Sequence, residues 1–216
     1  MAGRCNGKKI KARMNEKIKL LRSLLFPVLF IVIIWLVKIA EIVLNTDFVY
    51  LGIYPLKWRG LIGILTAPLI HADLRHLFDN SVPVLILGTA LFYFYKPVAY
   101  RVFFLTWFIT GILVWFGGRS SYHIGASGLI YGFASFLFFS GIIRNSINLM
   151  AISLLVVFMY GGLVWGILPY DYKISWESHM FGAITGLSLA IVYRHYGPPP
   201  PVEITDENNE SEEDDN

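Results

Sequence analysis

The stretch His123-Ile-Gly-Ala-Ser-Gly-Leu-Ile-Tyr-Gly132 decides how the chain is read. Its serine, Ser127, stands among small residues at the head of a long apolar run. Gly125 and Ala126 leave its hydroxyl and backbone N–H open to approach. A helix that starts here also turns its unpaired first N–H groups, and their partial positive charge, toward a developing oxyanion. The motif alone is weak, because Gly-x-Ser-Gly is common and small residues are ordinary packing material between membrane helices. It becomes chemistry only with a base beside it. The candidate base is His179.

Composition sets the solvent. The chain is 56% hydrophobic and 15% charged, with a mean hydropathy of +0.58. Soluble domains carry about 25% charged residues, so this is a membrane protein. The single cysteine, Cys5, excludes an internal disulfide framework and a cysteine-based metal site. A net charge of +3 conceals two opposite ends. Residues 1–22 hold eight Lys or Arg against Glu16 alone, and residues 203–216 hold eight Asp or Glu and no cation. Neither end resembles a nucleic-acid module. The basic end reads as a cytoplasmic flank with anionic-lipid contact, and the acidic end as a solvated, disordered tail.

A bilayer core of about 30 Å needs roughly 20 apolar residues per helix. Six segments qualify, at about residues 24–44, 76–95, 98–116, 127–143, 147–168 and 178–193. The first is too long for a signal-peptide core and lacks a small-residue cleavage site, so it reads as a retained span. Lys38 and Glu41 near its end lie three apart, and can pair or snorkel outward. Residues 45–70 are half apolar but broken by Gly52, Pro55, Gly60, Gly63 and Pro68. That mixture predicts an excursion at the membrane surface, with Trp58 at headgroup level and Arg59 reaching phosphate.

The expected fold is therefore an all-α, polytopic bundle of six transmembrane helices. A basic cytoplasmic segment (1–23) precedes the membrane domain (24–195), and a disordered acidic cytoplasmic tail (196–216) follows it. With the N-terminus inside, twelve cations fall on the cytoplasmic side and six outside, the expected bias. An even number of spans returns both termini to the cytoplasm. The Lys-rich, serine-poor N-terminus argues against mitochondrial import and suits a bacterial plasma membrane.

Polar side chains within spans are expensive, so each is a functional candidate. His76 and Asn80 lie one helical turn apart at the head of the second span, and can aim donors at a common point. His71 precedes that helix and orients its loop. The competing reading is that these residues only cap the helix and hydrogen-bond loop backbone. Two histidines five apart do not share a face, and thiolates are absent, so no metal site is expected. In the fourth span Tyr131 stands one turn below Ser127, and Gly128 and Gly132 form a surface that admits another helix. In the sixth, His179, Gly182 and Gly186 share one face. Packing these two glycine faces together brings His179 beside Ser127. A base must reach about 3 Å from the hydroxyl, so the close approach is required. His123, just outside the fourth span, could compete as the base but reads as a loop histidine, and His195 lies on the wrong side of the membrane for the site.

Three separated motifs, His71-x4-His76-x3-Asn80, Gly125-Ala126-Ser127-Gly128 and His179-x2-Gly182-x3-Gly186, resemble those of the rhomboid family of intramembrane serine proteases. The resemblance covers about residues 24–195. It implies a six-helix core, Ser127 as nucleophile and His179 as general base. It further implies an oxyanion met by the Ser127 N–H with His76 and Asn80, and Tyr131 stacked on the catalytic histidine. His71, Gly125, Gly182 and Gly186 take supporting roles. Trp58-Arg59 is similar to a pair in the family's membrane-dipping loop. No cofactor is implied, and the expected partners are transmembrane protein substrates and the bilayer, not nucleic acid. Two alternatives remain at this stage: an inactive rhomboid-like protein that binds membrane proteins, and a small polytopic transporter.

Overall fold

The computed structural model describes residues 2–159, 168 and 175–198. Its elements are α1 (Ala2–Leu44), α2 (Gly63–Thr66), α3 (Leu74–Phe94), α4 (Ala99–Gly117), α5 (Ser127–Ile143), α6 (Ile147–Met159) and α7 (Trp176–Val192). Short 3-10 turns at Val49–Leu51, Trp58–Ile62 and Ala67–Leu69 flank α2. Among the described residues there is no strand, only an isolated bridge between Ile53 and His123. The bundle is all-helical, as its apolar periodicity predicts.

Among the described residues three helices are long and apolar enough to cross a bilayer, running Arg13–Leu44, Leu74–Phe94 and Ala99–Gly117, and α5 is a shorter apolar helix. The expected fifth span, 147–168, is described as helix through Met159, and residues 160–167 lie outside the described residues. So does the expected acidic tail beyond Pro198. One boundary differs in kind. Helix α1 begins at Ala2, so the basic segment continues the first span as one helix. Lysine and arginine are good helix formers, and the change from apolar to charged residues gives a helix no reason to stop.

Burial follows helical periodicity. In α1, Ser23, Pro27, Phe30, Ile34 and Glu41 form the buried stripe, and Leu25, Leu29, Val32, Leu36 and Ile39 face outward. Pro27 sits inside the helix against Gly88 of α3, and Trp35 Nε1 donates to Ser81 Oγ at 3.1 Å. Helix α5 is buried almost all round and is the central element. Its closest neighbour is α7. A Cβ on Gly182 would collide with the carbonyl oxygen of Gly128, and one on Gly186 with that of Gly132. Ser135 Oγ adds a hydrogen bond to the Ala183 carbonyl at 2.7 Å. This pairing is the glycine-face contact expected from the two motifs.

The segment between α1 and α3 folds as a chain of short turns laid against α4. Trp107 Nε1 donates to the Ile64 carbonyl at 2.9 Å and Trp115 Nε1 to that of Lys57 at 3.1 Å. Its outer side exposes Leu56, Trp58, Leu61, Ile62 and Leu65, with Trp58 76% exposed. An apolar surface of this kind suits the interfacial layer better than water.

The ends of the bundle can be assigned from contacts. Glu16 accepts a hydrogen bond from the Tyr93 hydroxyl, and Gly197 lies against the Tyr95 ring. Arg144 donates to the carbonyls of Pro198 and Arg194 at 2.8 and 3.0 Å. The basic part of α1, the α3–α4 turn and the chain after α7 therefore share one end. Ser127 lies at the other.

Candidate active site

Three segments converge at that second end. The first is the entry to α3. Asp73 caps the helix by accepting the His76 N–H at 2.7 Å, and its carboxyl is held below the usual range chiefly by that bond. The helix cap is thus Asp73, which leaves the side chains of His71, His76 and Asn80 for other work. Ahead of it, Lys38 pairs with Glu41 at 3.0 Å and donates to the carbonyls of His71 and Ala72 at 2.9 and 3.0 Å. Glu41 accepts the Phe48 N–H at 2.8 Å. The charged pair at the end of the first span thus ties down the loop that carries His71.

The second segment leads into α5. Gly125 has φ +104°, a conformation open to glycine at little cost. A Cβ there would also stand 2.8 Å from two atoms of the His76 ring and 3.5 Å from Asn80 Nδ2. Glycine is needed for both reasons, and its absence of a side chain lets His76 and Asn80 reach the backbone just before Ser127. The Gly125 N–H donates to the Ala67 carbonyl at 2.8 Å, and the Ala126 N–H to His71 Nε2 at 3.4 Å. Burial, with the charges of His76 and Lys38, holds His71 neutral by lowering its pKa to about 3, as an accepting ring nitrogen requires. Ser127 then opens α5 and is 9% exposed.

The third segment is the start of α7. His179 is 7% exposed, and its ring lies flat on that of Tyr131, with centroids 4.2 Å and planes 11° apart. The contact of Gly128 with Gly182 holds the two helices in register, so Ser127 and His179 occupy the same end of the α5–α7 pair. Asn80 is 5% exposed, and its amide nitrogen has no partner among the described residues. A buried donor left unpaired beside Gly125, two residues before Ser127, costs stability and is therefore informative. A cavity of about 30 Å³ adjoins Gly125 and Gly128, lined in part by Thr110, His123 and Ser178. That is room for a water.

Around His123, read from the sequence as a loop histidine, stands a group of residues that the sequence did not single out. Glu177, in the first turn of α7, is fully buried with His123. It accepts the Arg119 N–H at 3.2 Å, approaches the Arg119 guanidinium at 3.7 Å and lies 4.0 Å from His123 Nδ1. His123 bridges the Ser175 hydroxyl at 2.5 Å and the Arg119 carbonyl at 3.1 Å, and Ser175 meets Ser178 at 2.6 Å. Burial lowers the His123 pKa. The bridge of His123 to Ile53, with hydrogen bonds of 2.8 and 3.0 Å, extends the network to the interfacial segment. A carboxylate two residues before His179, at the mouth of an apolar helix, was the signal available in the sequence. His195 follows α7 at the opposite end of the bundle, away from all of these groups. Among the described residues no three His, Cys, Asp or Glu side chains are grouped as a metal would require.

Fold and cluster first define a class: a polytopic integral membrane protein with serine, histidine and asparagine gathered in the buried end of its helix bundle. The family model for the Rhomboid domain matches residues 58–196, and the chain belongs to the rhomboid family. It is 33% identical over 175 residues to an uncharacterized protein of Mycobacterium tuberculosis, covering 74% of this chain and 71% of that one. An uncharacterized protein of Mycobacterium bovis matches to the same extent. One of Mycobacterium leprae is 30% identical over 194 residues, covering 85% of this chain and 76% of the relative.

Proposed function

We propose that this rhomboid-family protein is an intramembrane serine endopeptidase that cleaves transmembrane proteins within or near their spans. The observation that carries the reading is the unpaired Asn80 amide beside Gly125, directly ahead of Ser127 at the start of α5. Ser127 is the nucleophile and His179 the general base. His179 takes the hydroxyl proton as the oxygen attacks a peptide carbonyl, then returns it to the leaving amine. The oxyanion is met by the Ser127 N–H, Asn80 and His76, in a site where a single donor contributes about 2.7–4 kcal/mol to the transition state. Tyr131 holds the imidazole plane, and His71 holds the Ala126 peptide. A hydrogen-bonded helix shields its carbonyls, so the substrate span must unwind locally to be cut.

On this reading both termini lie in the cytoplasm of a bacterial cell and the site opens to the outer face; the cation bias supports the orientation and the Lys-rich, serine-poor N-terminus the bacterial membrane. The membrane domain runs over about 24–195, with the interfacial segment as part of it.

The test is purified protein with a model transmembrane substrate in detergent. Wild-type cleavage that disappears in Ser127→Ala and His179→Ala is the expected result. Cleavage that survives Ser127→Ala rejects the serine mechanism, and wild-type protein that binds the substrate without cutting it supports an inactive, client-binding relative instead.

A further inference from the structure

The end of the bundle opposite Ser127 carries a second polar site. A cleft of about 310 Å³ lies between α1 and the α3–α4 turn, lined by Asn15, Lys19, Arg22 and Ser23 of the first helix with Lys96 and Tyr100 beyond it. Three cations from two separate segments thus face one concavity. Lys19 sits over the Tyr93 ring at 3.9 Å, and the hydroxyl of that tyrosine is already engaged with Glu16. Arg22 and Lys96 have no carboxylate partner among the described residues. Like charges gathered without an acid to offset them favour an anion between them.

The surroundings say what kind of anion. Leu25 and Leu29 follow Arg22 at i+3 and i+7, on the same face of α1. Phe104 and Phe108 follow Tyr100 at i+4 and i+8 on α4. All four are exposed, Leu25 at 72%. The cleft therefore opens inward onto an apolar surface directed toward the bilayer core. A soluble phosphate or a nucleic acid would use the cations and leave that surface bare. A phospholipid would use both, with its headgroup among the cations and its chains along the leucines and phenylalanines.

We propose that this cleft is a binding site for one anionic phospholipid, whose phosphate is held by Arg22 and Lys96 with Lys19 and the Tyr100 hydroxyl in support. The lipid clips the basic half of α1 to the α3–α4 turn. The site does not depend on the proteolytic reading, since it lies at the other end of the molecule.

The test uses the full chain in a non-ionic detergent, titrated with dioctanoyl-phosphatidylglycerol and followed by native mass spectrometry. A saturable single adduct is expected. Affinity should fall about fivefold for each charge removed in Arg22→Gln and Lys96→Gln. It should hold in Arg13→Gln, which removes a basic residue of α1 outside the cleft. The charge-conserving pair Arg22→Lys with Lys96→Arg should retain binding, which separates loss of the site from loss of the fold. Dioctanoyl-phosphatidylcholine bound as tightly as phosphatidylglycerol, or unchanged affinity in the neutralised double variant, overturns the proposal. Inorganic phosphate that displaces the lipid at equal concentration overturns it in favour of a soluble anion.

Discussion

Gly182 of α7 lies directly on the carbonyl of Gly128 in α5, with no room for a Cβ between them. Ser127 precedes that glycine by one residue, and His179 precedes the other by three. The helix contact and the candidate dyad are therefore one feature, and whatever separates the helices separates the two side chains. Gly182→Ala is expected to cost about 1–3 kcal/mol, as overpacking a tight contact does, and to abolish cleavage at temperatures where the chain is still folded. Gly88→Ala is the comparison, because its added methyl would meet only Pro27 side-chain atoms at 3.1 Å and beyond. Thermal unfolding in detergent beside a cleavage assay checks both.

Asn80 separates function from stability. Its amide nitrogen is buried and unpaired, so removing it relieves a desolvation cost instead of breaking a bond. Asn80→Ala should leave the melting temperature unchanged or higher while lowering kcat by about 10²–10³. A variant that loses stability and keeps kcat would assign Asn80 a structural role.

Glu177 makes the opposite prediction. It holds the Arg119 backbone and guanidinium and faces His123, all at the start of the helix that carries His179. Glu177→Ala leaves buried donors without their acceptor, at a cost of about 1–3 kcal/mol. Glu177→Gln keeps one accepting oxygen and should lose less. Melting temperatures of the two variants, measured side by side, give the order.

His71 sets a pH dependence. Its ring accepts the Ala126 N–H and stays neutral in the folded chain down to about 3, whereas an unfolded histidine protonates near 6.5. Between these values the unfolded chain binds the extra proton. The contribution is therefore complete above about 6.5 and is lost as pH falls from there toward 3. Unfolding temperature measured across that window should fall toward acid, and His71→Asn should flatten the slope.

Much of this could be seen without coordinates. Apolar length and period predicted the helices, because a bilayer demands a fixed length and satisfied backbone. The i, i+3, i+7 spacing of His179, Gly182 and Gly186 predicted which face of α7 meets α5, because helix geometry makes that face unique. Local rules of this kind need only neighbouring residues. The sequence did not show that the basic segment is the first half of α1, since a helix boundary with neither a cap nor a break leaves no local mark. Nor did it show that Asp73 caps α3 and frees His71, His76 and Asn80, or that Lys38 and Glu41 anchor the loop before them. The network of Glu177, Arg119, His123 and Ser175 joins residues 52 positions apart or more across two segments. Only the tertiary structure could decide that, because the burial that makes such charges pair comes from helices far away in the chain.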